Sequence, residues 1–143
     1  MSIDIKRLQP GDDARVAEAG HLFDDPPRPD AIRRFLAEPT HHLFVAYADG
    51  KPVGFVSGVE MIHPDKGTEM FLYELAVDDN HRQRGIGTAL VNVLRDLATA
   101  NGCYDMWVLT DDDNEPALKT YKKSGTSESS SPVMLTWRFR SVS

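Results

Sequence analysis

The chain has 143 residues, of which 41% are hydrophobic, a size and composition that suit one domain (residues 1–143) with a single substantial core. Twenty-two acidic against sixteen basic side chains give a formal charge of -6, which argues against nucleic acid or an anionic membrane as the partner and favours a cationic one. The one cysteine, Cys103, excludes an internal disulfide and a cysteine-based metal cluster. With no signal-peptide pattern and no apolar run of membrane-spanning length, a cytoplasmic location is expected.

The first forty residues predict a strand and two short helices. Ile3 and Ile5 alternate with polar residues before Pro10-Gly11, which indicates an opening strand closed by a turn. An aspartate at 12 or 13 predicts the start of a helix that runs to about Leu22. Three prolines exclude a helix over the loop DDPPRPD, and a second helix is predicted from about Asp30 to Ala37.

From His42 the hydrophobic period changes from helical to two, which is typical of strands. Two apolar runs, LFVAYA and PVGFVSGVEM, flank Asp49-Gly50, the dipeptide that best supplies the positive φ angles of a tight hairpin. Met70–Val77 follows the polar turn HPDKGTE and predicts a third strand of the same antiparallel meander.

A long amphipathic helix follows this meander and ends at Asn101-Gly102. Its apolar residues recur at helical spacing and form one wide stripe, namely Ile86, Ala89, Leu90, Val93, Leu94, Leu97 and Ala98. The run YDMWVLT then predicts a strand parallel to Met70–Val77, so residues 70 to 110 form a β-α-β unit. One more helix, EPALKTYKKSG, is capped by Asn114, and Met134–Phe139 supplies a last strand. The fold class is α/β (α+β), with a mixed, mostly antiparallel sheet of about six to seven strands and about four helices.

The loop RQRGIG, at the start of the long helix, has the composition of an anion-binding site. Gly85 and Gly87 let the backbone N–H groups approach an oxyanion, and Arg82 and Arg84 add charge to the positive end of the helix dipole. A diphosphate is the natural occupant of such a loop. A dinucleotide fingerprint would need a third glycine, and a P-loop would need Gly-Lys-Ser/Thr. A glycine-assisted helix start without a ligand is the alternative that these residues alone leave open.

The run RQRGIG after LYELAV resembles the Arg/Gln-x-x-Gly-x-Gly/Ala signature of the Gcn5-related N-acetyltransferases (GNAT), which hold the pyrophosphate of acetyl coenzyme A (acetyl-CoA) on this loop. The segment ALKTYKKSG is similar to the Ala-x-x-x-Tyr-x-x-x-Gly segment of that family, and the element order matches over almost the whole chain. The resemblance implies a single GNAT domain in which the central parallel strands splay apart. More narrowly, FLYELAVDDNHRQRGIGTALVNVLRDLATANG is similar to the type I aminoglycoside 3-N-acetyltransferases, which inactivate gentamicin-class antibiotics.

The resemblance also implies which residues bind acetyl-CoA. The backbone of Leu75, Ala76 and Val77 would pair with the pantetheine arm, and Asn114 and Ala117 would lie beside its far end. The pyrophosphate would be held by the loop and first helical turn, which comprise Arg82, Gln83, Arg84, Gly85, Ile86, Gly87 and Thr88. Tyr121 aligns with the tyrosine that protonates the departing coenzyme A thiolate in many relatives, with a tyrosine packed on the sheet as the alternative.

Acetyl transfer to an amine needs a neutral nucleophile, so the acceptor ammonium must first lose a proton. Glu74 is the candidate base, because strand alternation puts it on one face with Leu72 and Ala76, where an unpartnered carboxylate is costly to bury. A solvent-exposed edge carboxylate or a structural ion pair is the alternative, and Glu60 is the alternate base. Candidate substrate-binding carboxylates beside the expected cleft are Asp24, Asp25, Asp111, Asp112 and Asp113, with Glu74 itself.

The sequence therefore predicts an acetyl-CoA-dependent N-acetyltransferase that works by direct attack of an amine, without an acyl-enzyme. The leading acceptor is the 3-amino group of an aminoglycoside, a small cationic molecule. A second hypothesis replaces it with a polyamine, an amino acid derivative or a protein N-terminus, and a third is a non-catalytic coenzyme A-binding module. The five histidines lack metal-ligand spacing, so no metal is expected. Exposed strand edges are compatible with a homodimer.

Overall fold

The structure, a computed structural model, describes residues 2–142. Within this range the chain forms five strands and four α-helices. In chain order they are β1 (Ile3–Arg7), α1 (Asp13–Glu18), α2 (Pro29–Ala37), β2 (His41–Ala48), β3 (Lys51–His63), β4 (Gly67–Val77), α3 (Ile86–Ala100), β5 (Met106–Val108) and α4 (Glu115–Lys123). Two single turns of 3-10 helix, Gly20–Leu22 and Asp79–His81, follow α1 and precede α3.

All five strands belong to one sheet in the order β1-β2-β3-β4-β5. The first four strands pair antiparallel, whereas β4 and β5 pair parallel. The β2–β3 hairpin turns on Asp49 and Gly50, which have φ angles of 51° and 79°. Both angles lie in the left-handed region, as the Asp-Gly dipeptide predicts. The predicted mixed, mostly antiparallel sheet with one parallel pair is present among the described residues, but the pair β4 and β5 lies at an edge of the sheet and not at its centre, because β5 is the last strand in the order.

The prediction of six to seven strands is wrong for the described residues, because the segment Met134–Phe139 forms no strand. Its side chains are exposed, with Met134 at 76%, Trp137 at 77% and Phe139 at 91%. A strand needs a ladder with another strand, and this segment pairs with none of the five strands of the sheet. Alternating apolar residues give a strand only where a ladder can form, since β propensity reflects packing on a sheet.

The α-helices cover the two faces of the sheet in pairs. The helices α3 and α4 pack on one face, in a core that contains Leu90 and Leu94 of the predicted apolar stripe. The helices α1 and α2 pack on the other face, around Phe55 and Val45. Cys103 lies between α3 and β5 and is partly buried against the core under α3. This burial raises the pKa of its thiol, and the negative charges of Glu60 and Asp105 raise it further. Within residues 2–142 no helix combines the length and apolar character needed to span a bilayer.

The strand β4 contains a bulge that changes which side chains share a face. Ser57 of β3 pairs with Glu74 and Gly58 pairs with Leu72, so Tyr73 is the extra residue of β4. Leu72 consequently faces α3, whereas Glu74 faces the α1–α2 side together with Ala76. The prediction that Glu74 shares a face with Leu72 is therefore wrong, because strict alternation fails at the inserted residue.

The packing of α3 on the sheet gives a test of this core. A Cβ atom on Gly58 would lie 2.8 and 2.9 Å from the two methyl groups of Leu94 and 3.0 Å from the sulfur of Met70. Because Leu94 and Met70 are fully buried, they have little room to move. We expect Gly58→Ala to lower the free energy of unfolding in urea by about 1–3 kcal/mol. Gly87→Ala, whose Cβ would make only ordinary contacts of 3.5 Å or more, is the control; it should keep that free energy or raise it by up to about 1 kcal/mol, because alanine is the better helix former. Equal stability of the two variants would contradict the tight packing at Gly58.

Candidate functional site

The strands β4 and β5 separate after a short shared ladder. Their pairing covers only Met70–Leu72 and Met106–Val108, although β4 continues to Val77. Beyond Leu72 the ladder partner of β4 among residues 2–142 is β3 alone, so the edge that faces away from β3 is open. An open edge can bind an extended molecule as an added strand through its backbone N–H and C=O groups. Leu75, Ala76 and Val77 lie on this open edge.

The loop between β4 and α3 directs backbone N–H groups outward at the end of that edge. Gln83 and Gly85 have φ angles of 62° and 79°, and such left-handed residues create concave arrays of N–H groups that bind anions. Gly85 is the N-cap of α3 and supplies no side-chain cap, so the first N–H groups of the helix keep their binding capacity. Arg82 is exposed and forms an ion pair of 3.1 Å with Asp79. The loop and helix end thus have the geometry of a phosphate site.

Gly87 connects this loop to the open edge of β4 and to α4. A Cβ atom at Gly87 would lie 3.5 Å from a methyl carbon of Thr120, 3.7 Å from one of Val77 and 3.9 Å from one of Leu75. The first turn of α3 therefore packs directly on the end of β4 and on α4. A ligand that binds the loop and the open edge would pass beside α4.

The helix α4 presents three of the predicted site residues. Asn114 caps it as predicted, because its side-chain oxygen accepts a hydrogen bond of 3.2 Å from the N–H of Ala117. Ala117 and Tyr121, one turn apart, face the core shared with β4 and α3. Tyr121 is 9% exposed, and burial raises the pKa of its phenol, which therefore stays protonated at neutral pH. Its hydroxyl group makes no hydrogen bond with residues 2–142, so its proton is available.

Glu74 lies on the other face of the sheet, beside the loop that connects α1 to α2. Burial raises the pKa of its carboxyl group, and the negative charge of Asp24 raises it further. The loop is anchored by Phe23, whose ring stacks on that of Phe55 with the centroids 4.3 Å apart. The structure therefore brings Asp24 close to Glu74, while Asp25 is exposed in the same loop. A carboxylate with a raised pKa is well suited to accept a proton near neutral pH.

The remaining predicted carboxylates are less closely connected to Glu74. Asp111, Asp112 and Asp113 form an exposed turn between β5 and α4, and their side chains make no ion pair with other described residues. Glu60, the alternate base, accepts a hydrogen bond from Asn101 at the end of α3 and is bonded to the buried His42. Glu60 pairs with Met70 and thus lies on the α3 face of the sheet, opposite to the face of Glu74, where His42 and Asn101 are its partners.

Two features of the site were not predicted from the sequence. Ser57, opposite Glu74 in the β3–β4 ladder, is 7% exposed and its hydroxyl has no hydrogen-bond partner within residues 2–142. An aromatic surface also continues from Glu74 along β4 and β5: Phe71 stacks on Trp107 with centroids 4.3 Å apart, and Tyr73 contacts Phe71 edge-on. The one available signal for Ser57 was a hydroxyl inside the otherwise apolar run PVGFVSGVEM.

The sequence profile of the acetyltransferase (GNAT) family matches residues 12–126, a range that includes β4, the loop, α3 and α4. Among curated proteins, the N-alpha-acetyltransferase RimI of Mycobacterium tuberculosis is 34% identical over 126 residues, which are 86% of this chain and 77% of the relative. For two further curated relatives the match covers 39% of their own length.

Solved structures with the same fold include aminoglycoside acetyltransferases. One, from an uncultured soil metagenomic sample, has a TM-score of 0.80 and 30% sequence identity, with 96% of this chain and 100% of that chain covered. Another, the aminoglycoside N-acetyltransferase AAC(6′)-Iy in complex with CoA, has a TM-score of 0.78 and 23% identity, with 96% and 95% covered. No group of three or more potential metal-binding side chains occurs in residues 2–142.

The proximity of Asp24 to Glu74 can be tested by titration. Asp24→Asn removes a negative charge that raises the pKa of Glu74, so the carboxyl carbon of Glu74 should titrate at lower pH in the variant than in the parent. The measurement is ¹³C NMR of labelled glutamate over a pH series, with Glu74→Gln used to assign the signal. The neighbouring Asp25→Asn is the control and should shift the titration less. An unchanged Glu74 titration in Asp24→Asn would show that the two carboxylates do not interact.

Proposed function

Because the chain belongs to the acetyltransferase (GNAT) family, we propose that it transfers the acetyl group of acetyl-CoA to an amine of an aminoglycoside. The open edge of β4 that ends at the loop before α3 is the observation that carries the proposal. The open edge suits the extended pantetheine arm of the donor, and the loop at its end suits the pyrophosphate that follows that arm.

In this proposal, backbone groups of the chain form most of the contacts with the donor. Leu75, Ala76 and Val77 pair with the pantetheine arm, and the N–H groups from Gln83 to Thr88 bind the pyrophosphate with Arg82 and Arg84 near by. The N–H of Ala117 is already bonded to Asn114, so the side-chain NH₂ of Asn114 is the donor left for the pantetheine. These roles rest on the family resemblance.

The chemical step is a direct attack of the neutral amine on the thioester carbonyl. The acceptor ammonium loses one proton to Glu74 before the attack, and the C–N bond then forms as the C–S bond breaks. Tyr121 donates its phenolic proton to the departing thiolate, which leaves as the thiol of coenzyme A. The nitrogen loses its second proton to solvent as the amide forms, and solvent returns a proton to the phenolate of Tyr121. General acid and base groups of this kind each contribute about 10²–10⁴-fold to a rate.

A cationic aminosugar suits the surroundings of Glu74. Asp24 lies beside this carboxylate, and the exposed aspartates at 25, 111, 112 and 113 add to the negative potential that attracts such a substrate. The rings of Phe71, Tyr73 and Trp107 offer an apolar surface for the faces of sugar rings. The structure from the soil sample, at 30% identity, supports the same substrate class. The resemblance of the signature helix to the type I enzymes favours the 3-amino group.

A second candidate acceptor is the N-terminal amine of a protein. It is favoured by the 34% identity to the N-alpha-acetyltransferase RimI over most of both chains. Donor binding and the roles of Glu74 and Tyr121 would be the same for this acceptor, so only the substrate distinguishes the two candidates.

A panel of amines tests the acceptor. We expect release of the coenzyme A thiol with gentamicin and kanamycin. The kcat/KM for these aminoglycosides should be at least about tenfold above the values for spermidine and for peptides with free N-termini. A tenfold ratio is equivalent to about 1.4 kcal/mol of transition-state stabilisation. NMR of the acetylated product identifies the amino group that is modified, and acetylation at the 6′-amino group would correct the proposed position. Turnover of peptides alone would transfer the assignment to the second candidate.

Tyr121→Phe tests the proposed acid and distinguishes an enzyme from a coenzyme A-binding module. Because the hydroxyl makes no hydrogen bond with the described residues, its loss should leave the unfolding midpoint unchanged while kcat falls about 10²-fold or more. The Kd for coenzyme A, measured by calorimetry, should stay the same. If the parent binds coenzyme A but turns over none of the amines, the chain is a binding module, whereas an unchanged kcat in Tyr121→Phe would remove only the acid role.

A further inference from the structure

Ser57 has an unusual environment for a hydroxyl group. Its side chain is 7% exposed in the interior of β3, and its oxygen has no hydrogen-bond partner among residues 2–142. The neighbouring Val56 and Phe55 are fully buried. A buried hydroxyl without a partner lowers stability relative to alanine, so its presence in a native core needs an explanation.

The β4 bulge aligns Ser57 with Glu74. Residues directly opposite each other in an antiparallel pair point to the same face, with Cβ atoms about 4.5–5.5 Å apart. Ser57 and Glu74 are such a pair, and the next pair on the same face, Phe55 and Ala76, lies in the core with α1 and α2. The hydroxyl therefore lies within reach of a carboxylate that is only half-buried and that faces Asp24.

We propose that Ser57 is a positioning residue for the proton transfer from the acceptor amine to Glu74, an inference that rests on the proposed acetyltransferase function. When the acceptor binds, the hydroxyl of Ser57 donates a hydrogen bond to the carboxylate of Glu74 and holds it in the orientation that accepts a proton from the acceptor ammonium. The proton leaves the ammonium nitrogen and ends on Glu74, so the amine becomes neutral and Ser57 is unchanged. In the complex that reacts, the hydroxyl then has the hydrogen-bond partner that it lacks within residues 2–142 of the free protein.

This role gives a signature that a structural role would not produce. A hydrogen bond donated to a carboxylate stabilises the charged form and lowers its pKa. Since the bond forms only with the acceptor present, Ser57→Ala should raise the apparent pKa in the kcat profile, which reports the enzyme–substrate complex. The titration of Glu74 in the free enzyme should not move.

The experiment compares the parent with Ser57→Ala in steady-state kinetics from pH 5 to 9. We expect kcat to fall about tenfold or more, with the low-pH limb of its profile moved to higher pH and the KM for acetyl-CoA unchanged. The midpoint of urea unfolding should be equal or higher, because the variant no longer buries an unpartnered hydroxyl. A kcat and a pH profile equal to those of the parent would overturn the proposal, and so would a lower unfolding midpoint with an unmoved profile.

Two further variants separate the hydroxyl of Ser57 from general effects on the core. Ser57→Thr keeps the hydroxyl and should recover most of the kcat and the parent's pH profile. Tyr47→Phe removes another buried hydroxyl on the same side of the sheet, on a ring whose centroid lies 5.7 Å from the guanidinium carbon of Arg15, and should leave the profile unchanged. A profile that moves equally in Tyr47→Phe and Ser57→Ala would overturn the specific role of Ser57.

The outcome for Ser57 can be distinguished from that for the proposed function. If the parent acetylates no amine of the panel, both proposals fail. If the parent acetylates an amine and Ser57→Ala does so with the same kcat profile, the acetyltransferase assignment stands and the role of Ser57 alone is wrong.

Discussion

The separation of β4 from β5 is the constraint on which the candidate site depends. Backbone N–H and C=O groups need hydrogen-bond partners, and a parallel pair that continued past Leu72 would have provided them within the sheet. Because β5 ends at Val108, the end of β4 keeps an open edge between two layers of helices. The core packing of α3 on one face and of α1 and α2 on the other fixes β4 in place, so the open edge is part of a rigid scaffold.

The bulge at Tyr73 then determines what each side of this edge presents. One inserted residue turns Leu75 and Val77 toward α3, where they lie beside Gly87 in the first turn of that helix. The same insertion turns Glu74 toward Asp24 and the aromatic surface. Donor and acceptor would thus approach β4 from different directions and meet at one strand. This arrangement explains why a carboxylate can occupy an otherwise apolar strand without disrupting either core.

Much of this architecture follows from local patterns in the sequence. The 3.6-residue period predicts α3, Asp49-Gly50 predicts the hairpin, and Asn114 predicts the cap of α4, because each depends on a few neighbouring residues. The bulge could not be predicted in this way, since strand pairing rather than the composition of β4 determines where an extra residue sits. The segment Met134–Phe139 has the alternation of a strand but pairs with none of the five strands among residues 2–142, and its side chains stay exposed. Glu60 and Ser57 depend on which residues lie opposite them, and a single sequence does not show such contacts.

The environment of Cys103 has a practical consequence for measuring the chemistry of this protein. The thiol is the one sulfhydryl group in the sequence, and burial together with the charges of Glu60 and Asp105 keeps it protonated at the pH of most assays. Reagents that detect thiols react with the thiolate, so the protein itself should contribute a slow and small background signal. Free coenzyme A can then be followed continuously with a chromogenic disulfide in the presence of the native chain, without replacing the cysteine.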